Sequence, residues 1–210
     1  MARRLMLTAA AIATVLAIAI PAQAATVSIT DSKNDANALN DQGLITDSPV
    51  DNDNPGNGNV QIKEMDILSV VLTTTTTQLV VKLNLKKAPT LDQTIYRVTG
   101  DVAQAAGCTT FFIQYTNHAE ANPASTLRTC DPDDITGVGS IYTNITSKII
   151  GKTIEWKINY TTLQSLGVKN KNMTSIGAHD RMFLATKATG GATIPQVDQV
   201  TSTRSIKLGL

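Results

Sequence analysis

The amino-acid sequence predicts an all-β chain, an antiparallel β-sandwich of about eight or nine short strands with one small helix near residues 161–166. Three observations carry that expectation. The first is the stretch Gly139–Tyr160, GSIYTNITSKIIGKTIEWKINY, in which Ile141, Ile145 and Ile149 alternate with polar residues, as do Ile154, Trp156 and Ile158. A period of two puts each set on one face of a strand. The second is Gln78–Lys86, where Leu79, Val81, Leu83 and Leu85 alternate with Val80, Lys82, Asn84 and Lys86. The third is the recurrence of such runs between clusters of Gly, Pro, Asp and Asn, which are turn-forming residues.

The chain opens with a leader. Arg3 and Arg4 precede an apolar run from Leu5 to Ile20, Pro21 ends it, and Ala22-Gln23-Ala24 offers small residues at −3 and −1. This is the pattern of a secretory signal peptide over residues 1–24, cut before Ala25, and the run is short for a membrane span. The general export route is expected over a twin-arginine route, because the residues after the Arg pair match the latter poorly. Residues 25–210 then form one domain, secreted to the outside of the cell. The whole chain carries 18 Lys and Arg against 17 Asp and Glu. Without Arg3 and Arg4 the balance is near neutral, which argues against nucleic acid or an anionic membrane as the main partner.

Thr26–Thr30 is a strand candidate. From Asp31 to Asn59 the sequence becomes DSKNDANALNDQGLITDSPVDNDNPGNGN, with six Asp and Lys33 as its one cation. These residues favour turns, not strands or helices. Residues 31–59 therefore read as a long acidic loop, which is either solvated or ordered by a hard cation, since Asp and Asn oxygens suit calcium. Asp51-Asn-Asp-Asn-Pro-Gly56 begins like an EF-hand loop, but Pro55 and Ile62, at the twelfth position, break the match. The calcium expectation is thus a site of another kind, using some of Asp31, Asp35, Asp51, Asp53 and Asp66.

Ile62–Thr76 reads as a long strand whose continuous apolar middle, Ile67–Leu72, implies burial on both sides or a change of face. Thr73–Thr77 is β-branched and fits a strand end plus turn. Thr94–Thr99, Cys108–Thr116 and Ser125–Cys130 follow as strands, with Asn117, His118, Asn122 and Pro123 in a turn between the last two. In an exported protein Cys108 and Cys130 are expected to form a disulfide, worth about 3 kcal/mol in the chain-entropy model. Direct pairing across the hairpin would set Phe112 opposite Thr126 and Gln114 opposite Ala124, and would gather Phe111, Ile113 and Tyr115 on one face.

Asp131–Asp134 and Gly137 make a second acidic turn. In the hairpin that follows, Gly151-Lys152 fits a type II′ turn, with Ile149 facing Ile154 and Ile145 facing Ile158. Thr161–Gly167 reads as a short helix capped by Thr161 and ended by Gly167. Thr174–Thr186 returns to strand, with Ile176, Ala178, Met182 and Leu184 as core candidates. Gly190, Gly191 and Pro195 mark a loop, and Arg204–Leu208 a closing strand.

An acidic opening at Asp31 and Asp35, a strand carrying Asp66-Ile67, the LVVKLNL strand, IEWKINYTTLQSLGV and then SIGAHDRMFLAT occur in that order. Over Thr26–Thr186 this order is similar to secreted β-sandwich modules of the DOMON and family 9 carbohydrate-binding type. The resemblance implies a jelly-roll-like fold, structural calcium on Asp31, Asp35 and Asp66, and a ligand on one face or at one end. Two departures stand out. Trp156 keeps phase with Ile154 and Ile158, so its place is the core and not a sugar platform. No pattern of His and Met stands out as a haem ligand set.

No catalytic signature emerges. His118 and His179 are too few and too scattered for zinc. No G-x-S-x-G is present, and Ser140 lacks the context of a nucleophile. Most acids lie in turns instead of on opposed rigid strands, as glycoside cleavage would need. The sequons at Asn144, Asn159 and Asn172 read as ordinary Asn-Thr usage. The expectation is a secreted, non-catalytic binding module for a carbohydrate or cell-envelope glycan, with calcium in a structural role. A structural or adhesive protein that binds another protein is the alternative, and a small secreted hydrolase the third reading.

Overall fold

A computed structural model describes residues 24–31, 37–39, 59–61, 65–90, 94–102, 110–118, 121–130, 140–182 and 196–210. The leader, Asp35, Asp51, Asp53, Cys108, the acidic turn at 131–137, Leu184 and the Gly190–Pro195 loop, all named above, lie outside them.

The chain is all-β, built as two antiparallel sheets with one short helix. The smaller sheet holds β1 (Thr26–Thr30), β4 (Ile67–Thr74), β5 (Gln78–Leu85), β10 (Ser147–Ile150) and β11 (Thr153–Asn159), in the order β1-β4-β5-β11-β10. The larger holds β6 (Thr94–Val102), β7 (Thr110–His118), β8 (Ala121–Cys130), β9 (Ser140–Ile145), β12 (Asn172–Met182) and β13 (Gln196–Thr201), in the order β13-β12-β6-β7-β8-β9. β14 (Ile206–Lys207) also pairs with β12. Within the Asp31–Asn59 stretch and just after it, β2 (Asn37–Leu39) and β3 (Asn59–Gln61) form a two-stranded ribbon. The expectation of turns alone is corrected there, because backbone pairing does not depend on apolar side chains.

Alternation decides what each strand buries. In β5, Leu79, Val81, Leu83 and Leu85 point inward, as the pattern requires. In β4 the inward set is Ile67, Val70, Leu72 and Thr74, which shifts phase by one residue after Ile67. The register slips between Ile67 and Ser69, so a bulge produces the change of face that the apolar run implied. Phe111, Ile113 and Tyr115 do share the inner face. The expected β7–β8 register is off by two: Phe112 pairs with Arg128 and Gln114 with Thr126. An even slip keeps every side chain on its face, so the apolar pattern alone cannot detect it. The hairpin also extends to His118–Ala121, taking in residues read as turn.

The Gly139–Ile150 run is two strands, not one. β9 pairs with β8 in the larger sheet, and after Thr146 the chain crosses to pair β10 with β11 in the smaller. Ile145 therefore sits opposite Ser125 and not opposite Ile158, whereas Ile149 does face Ile154. The turn has Gly151 at φ +59°, and Lys152 keeps a negative φ, as type II′ needs. The helix α1 (Tyr160–Ser165) is capped two residues early, at Asn159 in place of Thr161, and Gly167 at φ +81° follows its end.

The two inner faces close on one core that includes Trp156, Tyr96, Phe111, Leu83, Ile154, Leu163 and Met173, all essentially inaccessible. Tyr96 and Tyr115 add a tilted ring pair with centroids 6.3 Å apart. Burial pushes the Tyr115 and Tyr160 phenols above their usual value of 10.0, so both stay neutral and packed. Trp156 is fully buried, and its Nε1–H donates to Ser125 Oγ across the sandwich at 3.0 Å. Replacing Trp156 with Phe should cost about 1–3 kcal/mol, from lost volume and a stranded Ser125 hydroxyl. Trp156 is the one tryptophan of the chain. Urea unfolding followed by the tyrosine ultraviolet signal checks this, and an unchanged midpoint would contradict the packing described here.

Candidate functional site

The outward face of the larger sheet carries the densest chemistry among the described residues. Arg97 alternates with buried Tyr96 and Val98, Phe112 with Phe111 and Ile113, and Arg128 with Leu127 and Thr129. The strand period therefore turns these three side chains away from the core. Register brings them together. Arg128 lies directly opposite Phe112, and Arg97 lies opposite Gln114, one pleat along the same strand. The Arg97 guanidinium carbon is 5.1 Å from the Phe112 ring centroid and that of Arg128 is 5.2 Å away. Both are within cation–π range.

Polar groups continue the patch. Arg97 Nε–H donates to Gln114 Oε1 at 2.7 Å, and the Gln114 amide donates to Thr116 Oγ1 at 2.8 Å. These bonds fix the plane of one guanidinium and the orientation of one amide. One row runs straight across five strands by register: His179, Arg97, Gln114, Thr126 and Asn144. At the usual strand spacing it is about 20 Å long. At its end, where β9 crosses to β10, opens a cleft of about 390 Å³. Asn144, Thr143 and Thr146 form one wall, and Lys157, Asn159 and Thr162 the other. The face thus offers guanidinium, amide and hydroxyl groups beside one half-buried ring.

A second cluster lies inside the sandwich. Asp66 and Asp180 are fully buried and Asp198 nearly so. Asp198 Oδ2 accepts the Ile67 N–H at 2.6 Å, which ties β13 in one sheet to β4 in the other. Its Oδ1 accepts the Gln199 N–H, and its own N–H donates to Asp180 Oδ1. Lys86 Nζ sits 3.2 Å from Asp66 Oδ2, and Lys86 N–H donates to the Asp66 carbonyl. These carboxylates are engaged with backbone N–H groups and a fixed ammonium. The Asp198 bonds brace one sheet against the other.

Of the expected metal ligands, Asp31 and Asp66 are described, and both belong to this end of the smaller sheet: Asp31 N–H bonds Leu68 O, next to Asp66-Ile67. Lys86 Nζ takes up one of the two Asp66 carboxylate oxygens, Oδ2. Among the described residues no three His, Cys, Asp or Glu are grouped to hold a metal. Calcium takes roughly six to eight oxygens, so these two acids do not by themselves fit it. Asp35, Asp51 and Asp53 lie outside the described residues, as does Cys108. Cys130 ends β8 with its backbone opposite Ser140. His179 sits half-buried on the outward row.

Sequence reading missed the Arg97–Phe112–Arg128 group. The three residues are about fifteen apart in the chain and form no motif. The one available signal was local: each flanks an inward apolar residue in an alternating strand, which marks it as outward. The acid brace was also missed, because Asp180 and Asp198 stand in polar-looking stretches.

Asp198→Ala should cost about 3–5 kcal/mol, since it strands the buried Ile67 N–H and removes the tie between sheets. Asp198→Asn keeps an acceptor and should cost visibly less. Equilibrium urea unfolding of both variants checks this, and equal stability of all three proteins would refute the brace.

Comparison of the chain with protein-family models, with curated proteins and with solved structures finds no match.

Proposed function

We propose that the protein is a secreted, non-catalytic binding module whose ligand is a carbohydrate or cell-envelope glycan held on the outward face of the larger sheet. The observation that carries this reading is the Phe112 ring flanked by Arg97 and Arg128, one pleat along β7 from a row of amides and hydroxyls. A sugar ring has an apolar C–H face and a rim of hydroxyls. Phe112 matches the first, and Gln114, Thr116, Thr126 and Asn144 match the second. The length of the row suits an oligomer better than a monosaccharide. The engagement of Asp66, Asp180 and Asp198 in structural bonds supports the non-catalytic part. Export rests on the leader, and calcium on the acidic stretch with Asp35, Asp51 and Asp53 joining Asp31 or Asp66.

One observation favours the second reading, a protein partner. Ile149 and Ile150 are 41% and 48% exposed on β10, an edge strand of the smaller sheet. An open strand edge with apolar side chains is a surface on which another chain can pair.

Polysaccharide pull-down with the mature chain tests the first reading. Binding is expected, with a loss of about tenfold in affinity for Phe112→Ala and a smaller loss for Gln114→Ala. Absence of binding to any polysaccharide, together with concentration-dependent association of the chain, would favour the protein partner instead. For calcium, the melting temperature should rise with added ion and fall back with chelator. An unchanged melting temperature would remove the ion from the proposal.

A further inference from the structure

Resting on that reading, we infer that the protein holds its glycan by an end, with the terminal sugar seated in the cleft where β9 crosses to β10. The row of polar side chains does not run off the sheet at an open edge. It reaches Asn144 on β9, the last strand of the larger sheet, and Asn144 lines the cleft of about 390 Å³. The far wall comes from outside that sheet: Asn159 ends β11 of the smaller sheet, and Thr162 belongs to α1. A polymer lying along the row therefore meets a wall at β9. Sites for small ligands run from about 300 to 1,000 Å³, so this cleft suits one terminal unit better than a passing polymer.

The wall chemistry suits a sugar. Asn159 occupies the N-cap position of α1, where an Asn side chain ordinarily accepts an N–H of the first turn. Here it makes no such bond. It is exposed and lines the cleft, so its carboxamide donor and acceptor are left for a ligand. Asn144 presents a second exposed carboxamide from the opposite wall, and the Thr146 and Thr162 hydroxyls stand beside the pair. Ile158, a core residue, and Ile145, packed against the core, add apolar surface. Amides and hydroxyls next to apolar surface match the hydroxyl rim and C–H face of a sugar ring. A terminal unit also keeps a hydroxyl that each inner unit has given up to a glycosidic link. Amides on two facing walls are placed to read that extra hydroxyl.

The test uses the mature full-length chain and titration calorimetry against laminarihexaose, mannohexaose and chitohexaose, each beside a long linear polymer of the same sugar and linkage. The expected result is binding to at least one such pair, with one protein per glycan chain for hexamer and polymer alike. Asn159→Ala should weaken that binding about tenfold without moving the melting temperature, since no cap bond is lost. Thr162→Trp, which fills the cleft from the α1 side, should abolish it. Several proteins on each polymer chain, in a number that rises with its length, would overturn end recognition. Full affinity in both variants would overturn it as well. In either case a loss of binding in Phe112→Ala would keep the glycan reading intact. No binding to any of these probes would overturn the inference, and capture of another polysaccharide in the pull-down would then still preserve the broader reading.

Discussion

Closure of two apolar sheet faces on each other is the constraint from which the rest of the structure follows. Neither sheet is stable alone with its inner face wet, and the core gathered between them is contributed by strands from both. A purely apolar seam would still let the layers slide. Two buried polar ties give the seam a register: the Trp156 indole N–H on Ser125, and the Ile67 N–H on Asp198. Each crosses the sandwich, and each is costly to leave unmade.

The crossover at Thr146 is where this constraint meets the surface. β9 ends the larger sheet and β10 begins the edge of the smaller, so one continuous run of alternating residues serves two layers. The two ends of that run behave differently. Ile145 is partly covered by the core, whereas Ile149 and Ile150 are left open at an edge with Lys148 between Ser147 and Ile149. A short strand and a lysine are ordinary ways to blunt such an edge. The cleft beside the crossover exists because the chain must leave one sheet before it can join the other.

Much of the architecture was legible in single residues. The alternation in Leu79–Leu85, the glycine at 151 and the phase of Trp156 each pointed to what the structure contains. The failures have physical reasons. The β7–β8 pairing was two residues off because an even slip leaves every face unchanged. β13 went unnoticed because QVDQVT has no regular period, and its pairing with β12 carries an irregularity beside Asp180. The candidate site was the least legible part. A cluster made by lateral neighbours in a sheet leaves no spacing signature in the chain.

What the sequence determined by itself is a local matter: which residues are extended, where turns fall, and which side of each strand is apolar. Those properties follow from backbone sterics and the two-residue period, and they act over a few neighbours at a time. Only the tertiary structure decided which strands lie side by side. That choice depends on long-range pairing, with Arg97, Phe112 and Arg128 brought to one point and Asp198 brought to Ile67 across 131 residues of chain. Such contacts form between residues that carry no information about each other until the two faces have closed.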